Sequence, residues 1–150
     1  WRCGAEAPSQ AEGELKEQIQ IPVPTPETAH FWEGTKAGEL RLQKCRACAK
    51  TYFPPRPFCP RCSSEGVEGG QAAGRGKITT FSLSNFRSPG FTPPYSIAVV
   101  ELEEGPRMLT NIVDCDQTTE AIQMEMNVEA TFCPVSEEIS LVKFRPAEEE

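Results

Sequence analysis

Two Cys-x-x-Cys pairs constrain the fold of this 150-residue chain more than any other feature. Cys45-Arg46-Ala47-Cys48 is followed by ten residues and then by Cys59-Pro60-Arg61-Cys62. Two pairs at this separation can place four thiolates tetrahedrally around one metal ion. Because four sulfur ligands leave no open coordination position, the sequence predicts a structural Zn²⁺ site. Disulfides and a mononuclear iron site are the alternatives, since thiolates suit both metals.

Charge is unevenly distributed along the chain, although the net charge is −7 and the sequence pI is about 4.9. Residues 36–61 contain seven basic side chains and one acidic side chain. Residues 101–150 contain thirteen acidic side chains and three basic ones. The basic region around the cysteines suits an anionic ligand or an acidic protein surface. The acidic second half lacks the continuous cationic track that binding to a polyanion requires.

Cysteine usage and hydropathy indicate the compartment. Four of the seven cysteines stand at zinc spacing rather than in a disulfide framework. The sequence shows no signal peptide and no apolar stretch near the roughly 20 residues that span a bilayer. We therefore expect a cytoplasmic protein that does not enter a membrane.

The chain is expected to be mainly β, with an N-terminal helical arm and a four-cysteine zinc ribbon followed by a five-stranded OB-fold barrel. Residues 1–24 read as a linker or arm with a short helix over Glu14–Gln20, and 25–70 as a helix plus the ribbon. Thr25 is the expected N-cap and Pro26 the first helical residue. Residues 39–44 and 51–53 read as ribbon strands, and the glycine-rich segment 65–76 as a hinge. The barrel would span 71–146 and an acidic tail 147–150.

Five alternating or apolar runs predict the strands of the barrel, at 77–84, 95–102, 107–113, 127–133 and 139–144. A long excursion over residues 85–94 separates the first two strands. This arrangement favours a closed Greek-key barrel of the OB type, with a plain sandwich as the alternative. The excursion is apolar for a surface loop, so we expect it to take part in binding.

Several motifs in order resemble one family, the thiolase-associated proteins with a rubredoxin-like zinc ribbon followed by an OB fold, long catalogued as a domain of unknown function. The likeness covers about residues 25 to 146. Glu125 departs from it, because the family usually has glycine before the methionine of its Gly-Met-x-Val element. The motifs are Phe31-Trp32-Glu33-Gly34, Gly38-Glu39-Leu40, the cysteine pairs with Cys59-Pro60-x-Cys62, Gly74-x-Gly76-Lys77-Ile78, Pro94-Tyr95, Val100-Glu101-Leu102-x-Glu104-Gly105, Met126-x-Val128 and Phe144-Arg145-Pro146.

The resemblance implies a non-catalytic accessory domain that binds a thiolase-fold acyl-CoA enzyme, either a thiolase or a β-hydroxyacyl-CoA aldolase. It would stabilise that enzyme and help to shape the acyl-CoA channel or pass on substrate. Steroid side-chain degradation is the suggested setting, and the chain would then be the C-terminal domain of a hydratase subunit, covalently linked to or beside a hydratase domain. A symmetric partner dimer would give a 2:2 heterotetramer. A coenzyme A thioester would lie at a shared site.

Two groups of side chains are candidates for contacts beyond the metal. The basic group would face the phosphates of coenzyme A or another anion, and it comprises Arg56, Arg61, Arg75, Lys77 and Arg87. The aromatic group would contact the partner protein, and it comprises Phe31, Trp32, Phe86, Phe91 and Tyr95.

No residue is assigned a catalytic role. His30 is the only histidine and has no acid or nucleophile beside it in sequence, so we expect a packing or surface residue. Asp114 and Asp116 flank Cys115 and would raise its pKa, which argues against a nucleophilic thiol. A zinc-ribbon/OB protein that binds single-stranded nucleic acid is the alternative function, though the acidic charge opposes it. A standalone acyl-transfer enzyme ranks third.

Overall fold

The computed structural model describes residues 20–148, so most of the helix expected over Glu14–Gln20 lies outside the described residues. One helix and eight strands follow in chain order: α1 (Ala29–Lys36), β1 (Arg41–Cys45), β2 (Thr51–Tyr52), β3 (Val67–Gln71), β4 (Arg75–Ser84), β5 (Tyr95–Leu102), β6 (Arg107–Thr110), β7 (Asn127–Pro134) and β8 (Ser140–Pro146). No helix within the described range has the length and apolarity needed to cross a bilayer.

The ribbon is a three-stranded antiparallel sheet in the order β2-β1-β3. The hinge expected over residues 65–76 is wrong for residues 67–71, because they form β3 and pair with β1 from Arg41↔Gln71 to Cys45↔Val67. Gly69 and Gly70 in this strand suggested a flexible segment. Backbone pairing with β1 outweighs their weak strand preference, since the ladder satisfies their peptide groups.

The second sheet has five antiparallel strands in the order β6-β5-β4-β7-β8 and curls into a half-barrel. Its two ends meet through a parallel bridge between Ile112 and Phe144. There the Val113 N–H donates to the Phe144 carbonyl at 2.8 Å, and the Phe144 N–H to the Asn111 carbonyl at 3.1 Å. A sandwich would leave those ends apart, so the predicted mainly β chain with a zinc ribbon and an OB fold is confirmed.

The core of the barrel follows from alternation along its strands. On β5 the buried residues are every second one, from Ser96 to Leu102. Side chains of a strand point alternately to the two faces of the sheet, so these residues share the inner face. Phe144, Ile78, Ile112, Val100 and Val128 are at most 1% exposed and fill the interior.

Helix α1 packs against both the ribbon and the barrel. Residues 25–28 form a turn before it, and Thr28 rather than Thr25 is the N-cap. The expected start at Pro26 is therefore three residues too early. Phe31 is 5% exposed, and its ring centroid lies 5.3 Å from that of Phe53. This aromatic contact anchors the helix to the chain segment between the two cysteine pairs.

Candidate metal centre and surrounding surfaces

The four cysteines of the two Cys-x-x-Cys pairs converge at one end of the ribbon. Their Sγ atoms all lie within 4.8 Å of one another. The Sγ atoms of Cys45 and Cys62 are 3.6 Å apart, as are those of Cys48 and Cys59. Four Zn–S bonds of about 2.3 Å in a tetrahedron require sulfur separations of about 3.8 Å. The cluster therefore has the dimensions of a closed four-thiolate site.

The two cysteine pairs have matching backbone turns. The Ala49 N–H donates to the Cys45 carbonyl and the Ser63 N–H to the Cys59 carbonyl, each at 2.9 Å. Ala49 and Ser63 both have φ of 58°, in the left-handed region. These turns aim backbone N–H groups at sulfur, as the Arg61 N–H does at 3.4 Å from the Cys59 Sγ. N–H donors of this kind stabilise thiolates and orient them towards a cation.

Backbone N–H groups, burial and the neighbouring thiols shift the pKa values of three of the four thiols in different directions. The Cys48 N–H, acting against burial, lowers the pKa of Cys45 to about 6. Burial disfavours the Cys59 thiolate, but the N–H groups of Cys62 and Arg61 outweigh it and lower that pKa. The Ser64 N–H lowers the pKa of Cys62, yet the shared interaction with Cys45 and burial raise it to about 12. Four adjacent thiolates repel one another, and a bound Zn²⁺ removes that repulsion.

The five basic candidates are all exposed but lie in different electrostatic surroundings. Arg56 and Arg61 lie on the basic ribbon, and Arg87 on the loop before β5. Arg75 and Lys77 instead line a groove of about 970 Å³ that also contains five glutamates: Glu101, Glu103, Glu125, Glu129 and Glu148. Within residues 20–148, two of these carboxylates are ion-paired: Glu101 with Arg107 and Glu129 with Arg145. The structure therefore separates the basic candidates rather than joining them into one anion site.

The five aromatic candidates also divide into separate groups. Phe31 is buried, and Trp32 meets it edge-on with ring centroids 4.9 Å apart. Phe91 packs against Tyr95 with ring centroids 5.0 Å apart, so both are part of a local cluster. Phe86 is 83% exposed at the loop. Of the five, Phe86 offers the most free surface to another molecule.

A groove between α1 and the barrel was not predicted from the sequence. This helix–barrel groove has a volume of about 380 Å³. It is lined by Thr28, Phe31, Trp32, Phe53, Pro54, Pro55, Ile97, Met108, Leu109, Thr110, Asn111, Leu141, Val142 and Lys143. Lys143 lines it while only 7% exposed. The one signal for it in the sequence is a lysine within the otherwise apolar run Leu141-Val142-Lys143-Phe144.

The two residues considered for catalysis lie in different surroundings. The His30 ring packs against β3, and its buried Nε2 has no hydrogen-bond partner among residues 20–148. Burial raises the pKa of the half-buried Cys115, and the carboxylates of Asp116 and Asp114 raise it further. The thiol is therefore held in its protonated, unreactive form at neutral pH.

Comparison with known proteins gives the same order of domains as the structure, a zinc ribbon followed by an OB fold. Residues 32–68 match the family model of the ChsH2 rubredoxin-like zinc ribbon domain, and residues 70–132 match that of the ChsH2 C-terminal OB-fold domain. A DUF35 domain-containing scaffold protein of Methanothermobacter thermautotrophicus is 40% identical over 75% of this chain and 86% of its own length. The 3-oxo-4,17-pregnadiene-20-carboxyl-CoA hydratase alpha subunit of Mycobacterium tuberculosis is 36% identical over 85% of this chain.

The chain spans about two fifths of the length of the hydratase alpha subunits that it matches. Among solved structures, a chain described as Ltp2-ChsH2(DUF35) aldolase superposes with a TM-score of 0.74 at 33% identity. That match covers 84% of this chain and 98% of the other. The chain therefore belongs to the DUF35 family of thiolase-associated proteins, which combine a rubredoxin-like zinc ribbon with an OB-fold domain.

Proposed function

We propose that this chain is a non-catalytic accessory domain that binds a thiolase-fold acyl-CoA enzyme and stabilises it. The observation that carries the proposal is its similarity, over nearly the whole of that chain, to the DUF35 chain of the Ltp2-ChsH2(DUF35) aldolase. The raised pKa of Cys115, which results from burial and from the carboxylates of Asp116 and Asp114, supports the lack of a catalytic role for that thiol. A four-sulfur site would hold a structural Zn²⁺ on Cys45, Cys48, Cys59 and Cys62 and would rigidify the ribbon.

The finer part of the proposal concerns the reaction of the partner. The partner would be a thiolase or a β-hydroxyacyl-CoA aldolase, and steroid side-chain degradation is supported by the similarity to the hydratase alpha subunit of Mycobacterium tuberculosis. By analogy with that subunit, a hydratase domain would be linked to this chain or lie beside it. Passage of an acyl-CoA between the two activities would follow from that arrangement.

Coenzyme A phosphates would meet the ribbon rather than the barrel. Arg56 and Arg61 are exposed on the basic ribbon, whereas Arg75 and Lys77 share their groove with five glutamates. A phosphate beside Arg75 and Lys77 would be repelled by these carboxylates, three of which have no ion pair among the described residues. We therefore narrow the coenzyme A contacts to Arg56 and Arg61, with Arg87 on the loop as a further candidate.

The test is co-expression of the chain with the thiolase-fold protein encoded nearest to its gene. The two should co-purify, and light scattering should give a 2:2 mass if the partner is a symmetric dimer. A chain that stays a solitary monomer beside the folded partner would contradict the proposal. Binding to a single-stranded oligonucleotide that weakens steeply with salt would favour the nucleic-acid function instead.

A further inference from the structure

The helix–barrel groove has two apolar walls. One wall consists of Phe31, Trp32, Phe53 and the following two prolines, and the other comes from β5, β6 and β8. At its rim Leu109 is 74% exposed and Ile97 is 40% exposed. Adjacent apolar side chains left in water at the edge of a groove are typical of a surface that another molecule covers.

Lys143 gives the groove a charge. Its side chain is 7% exposed, and its Nζ donates to the Oδ1 of Asn111, which also lines the groove. The same Nζ lies 5.3 Å from the centroid of the Phe91 ring. None of the ion pairs within residues 20–148 includes Lys143. Among the described residues, this buried ammonium group is therefore held by one amide oxygen and one aromatic face.

This arrangement is energetically incomplete for a cation. An ammonium group has three N–H donors, and a buried charge is normally compensated by an opposite charge. Burial lowers the pKa of Lys143, which shows that its charged form is poorly solvated here. A carboxylate brought into the groove would supply the missing charge, while apolar atoms beside it would cover Leu109 and Ile97.

We propose that the helix–barrel groove is the docking site for a segment of the thiolase-fold partner in which an apolar side chain lies next to an aspartate or glutamate. The apolar side chain covers Leu109 and Ile97, and the carboxylate pairs with Lys143. The inference rests on the proposed function, because it names the surface through which the accessory domain binds. The complementarity of an uncompensated cation and a carboxylate favours this occupant over a purely apolar one.

The first experiment measures the affinity of the full chain for the thiolase-fold protein encoded nearest to its gene, by calorimetry. Leu109→Asp should weaken binding at least tenfold, because it places a carboxylate on the apolar rim. Met124→Asp is the matched control, since Met124 is 62% exposed and lies outside the groove. It should change the affinity less than twofold. Equal effects of the two variants would overturn the proposal.

The second experiment tests the charge. Lys143→Met should weaken binding about tenfold, whereas Lys77→Met, which removes the same charge from an exposed site, should change it less than twofold. A photo-crosslinker at position 109 should label a partner peptide that contains an aspartate or glutamate. Neutralising that acid should weaken binding by the same factor as Lys143→Met. The two changes together should weaken binding no more than either change alone. Additive losses would overturn the pairing.

The outcomes separate this inference from the proposed function. If the wild-type chain does not bind the thiolase-fold protein, both are overturned. If it binds and Leu109→Asp binds equally well, the accessory role stands and the groove is excluded as the docking site. If the chain alone forms a dimer that Leu109→Asp dissolves, a second copy occupies the groove and the inference is overturned.

Discussion

At the scale of single residues, Glu125 has a backbone conformation that suits glycine, which agrees with the departure from the Gly-Met-x-Val element expected from the resemblance. Its φ is 62°, in the left-handed region that favours residues without a Cβ. The strain is maintained by pairing with β4, since the Glu125 N–H donates to the Ile78 carbonyl at 2.8 Å. The barrel therefore tolerates a strained residue to keep this contact.

Glu125→Gly should relieve that strain. We expect this variant to be more stable than Glu125→Ala by about 1 kcal/mol, because a Cβ in this conformation costs roughly that much. Both variants remove the same carboxylate, so the comparison isolates the backbone. Urea denaturation of the zinc-loaded protein measures the difference. If Glu125→Ala were at least as stable as Glu125→Gly, the left-handed backbone at this position would be wrong.

The residues of the candidate sites differ in how far the sequence could predict them. The cysteine cluster was predictable, because ligand spacing is a chemical constraint within a short stretch of chain. The burial of Lys143 was not, because it depends on Asn111 and Phe91, which come from distant parts of the sequence. Nothing in the residues beside Lys143 shows that the barrel brings those groups to it.

At the scale of secondary-structure elements, β3 illustrates why the ribbon was only partly predicted. Val67–Gln71 contains two adjacent glycines and no apolar alternation, so the sequence favours a hinge. In the structure, the lack of a side chain at Gly69 leaves room for the His30 ring. A Cβ on Gly69 would lie 2.9 Å from the Cδ2 of His30, whereas one on Gly70 would meet nothing within 4 Å. Gly69 therefore allows α1 to pack closely against β3 through His30.

Gly69→Ala should loosen the contact between α1 and the ribbon. We expect a loss of about 1 kcal/mol in the free energy of unfolding, since the new methyl group must displace the half-buried His30 ring. Gly70→Ala is the matched control in the same strand and should be neutral or slightly stabilising. Thermal and urea unfolding of the two variants measure the difference. Equal stabilities would show that His30 does not pack on β3.

The ribbon as an element should depend on its metal. Cys59→Ser should abolish stoichiometric zinc binding and unfold residues 41–71, because metal binding supplies most of the folding free energy of so small a unit. Cys115→Ser is the control, since Cys115 lies outside the sulfur cluster. It should retain one zinc ion per chain by mass spectrometry. Retention of metal and of protease resistance in Cys59→Ser would contradict the four-cysteine assignment. Detection of iron instead of zinc in the wild-type protein would change the identity of the metal but not its ligands.

At the scale of the whole molecule, the structure places the basic and acidic regions predicted from the sequence on different surfaces. Exposed Arg56 and Arg61 lie on the ribbon, whereas the barrel end of the chain contains the groove with five glutamates. The OB fold was predictable from its strand runs, but the acidic surroundings of Arg75 and Lys77 were not. Their neighbours come from β5 and the turn after it, from β7 and the residues before it, and from the segment after β8, which only the curled sheet brings together.

This charge separation predicts which end of the molecule coenzyme A meets in the complex with the thiolase-fold protein. The double variant Arg56→Glu/Arg61→Glu should weaken coenzyme A binding about tenfold at low salt and less at high salt, because exposed charges are screened. The matched double variant Arg75→Glu/Lys77→Glu makes the same charge change among carboxylates and should alter the affinity less than twofold. Calorimetric titration of each complex measures both. A larger effect at Arg75 and Lys77 would assign the phosphates to the barrel, and the absence of any effect would exclude this chain from the coenzyme A site.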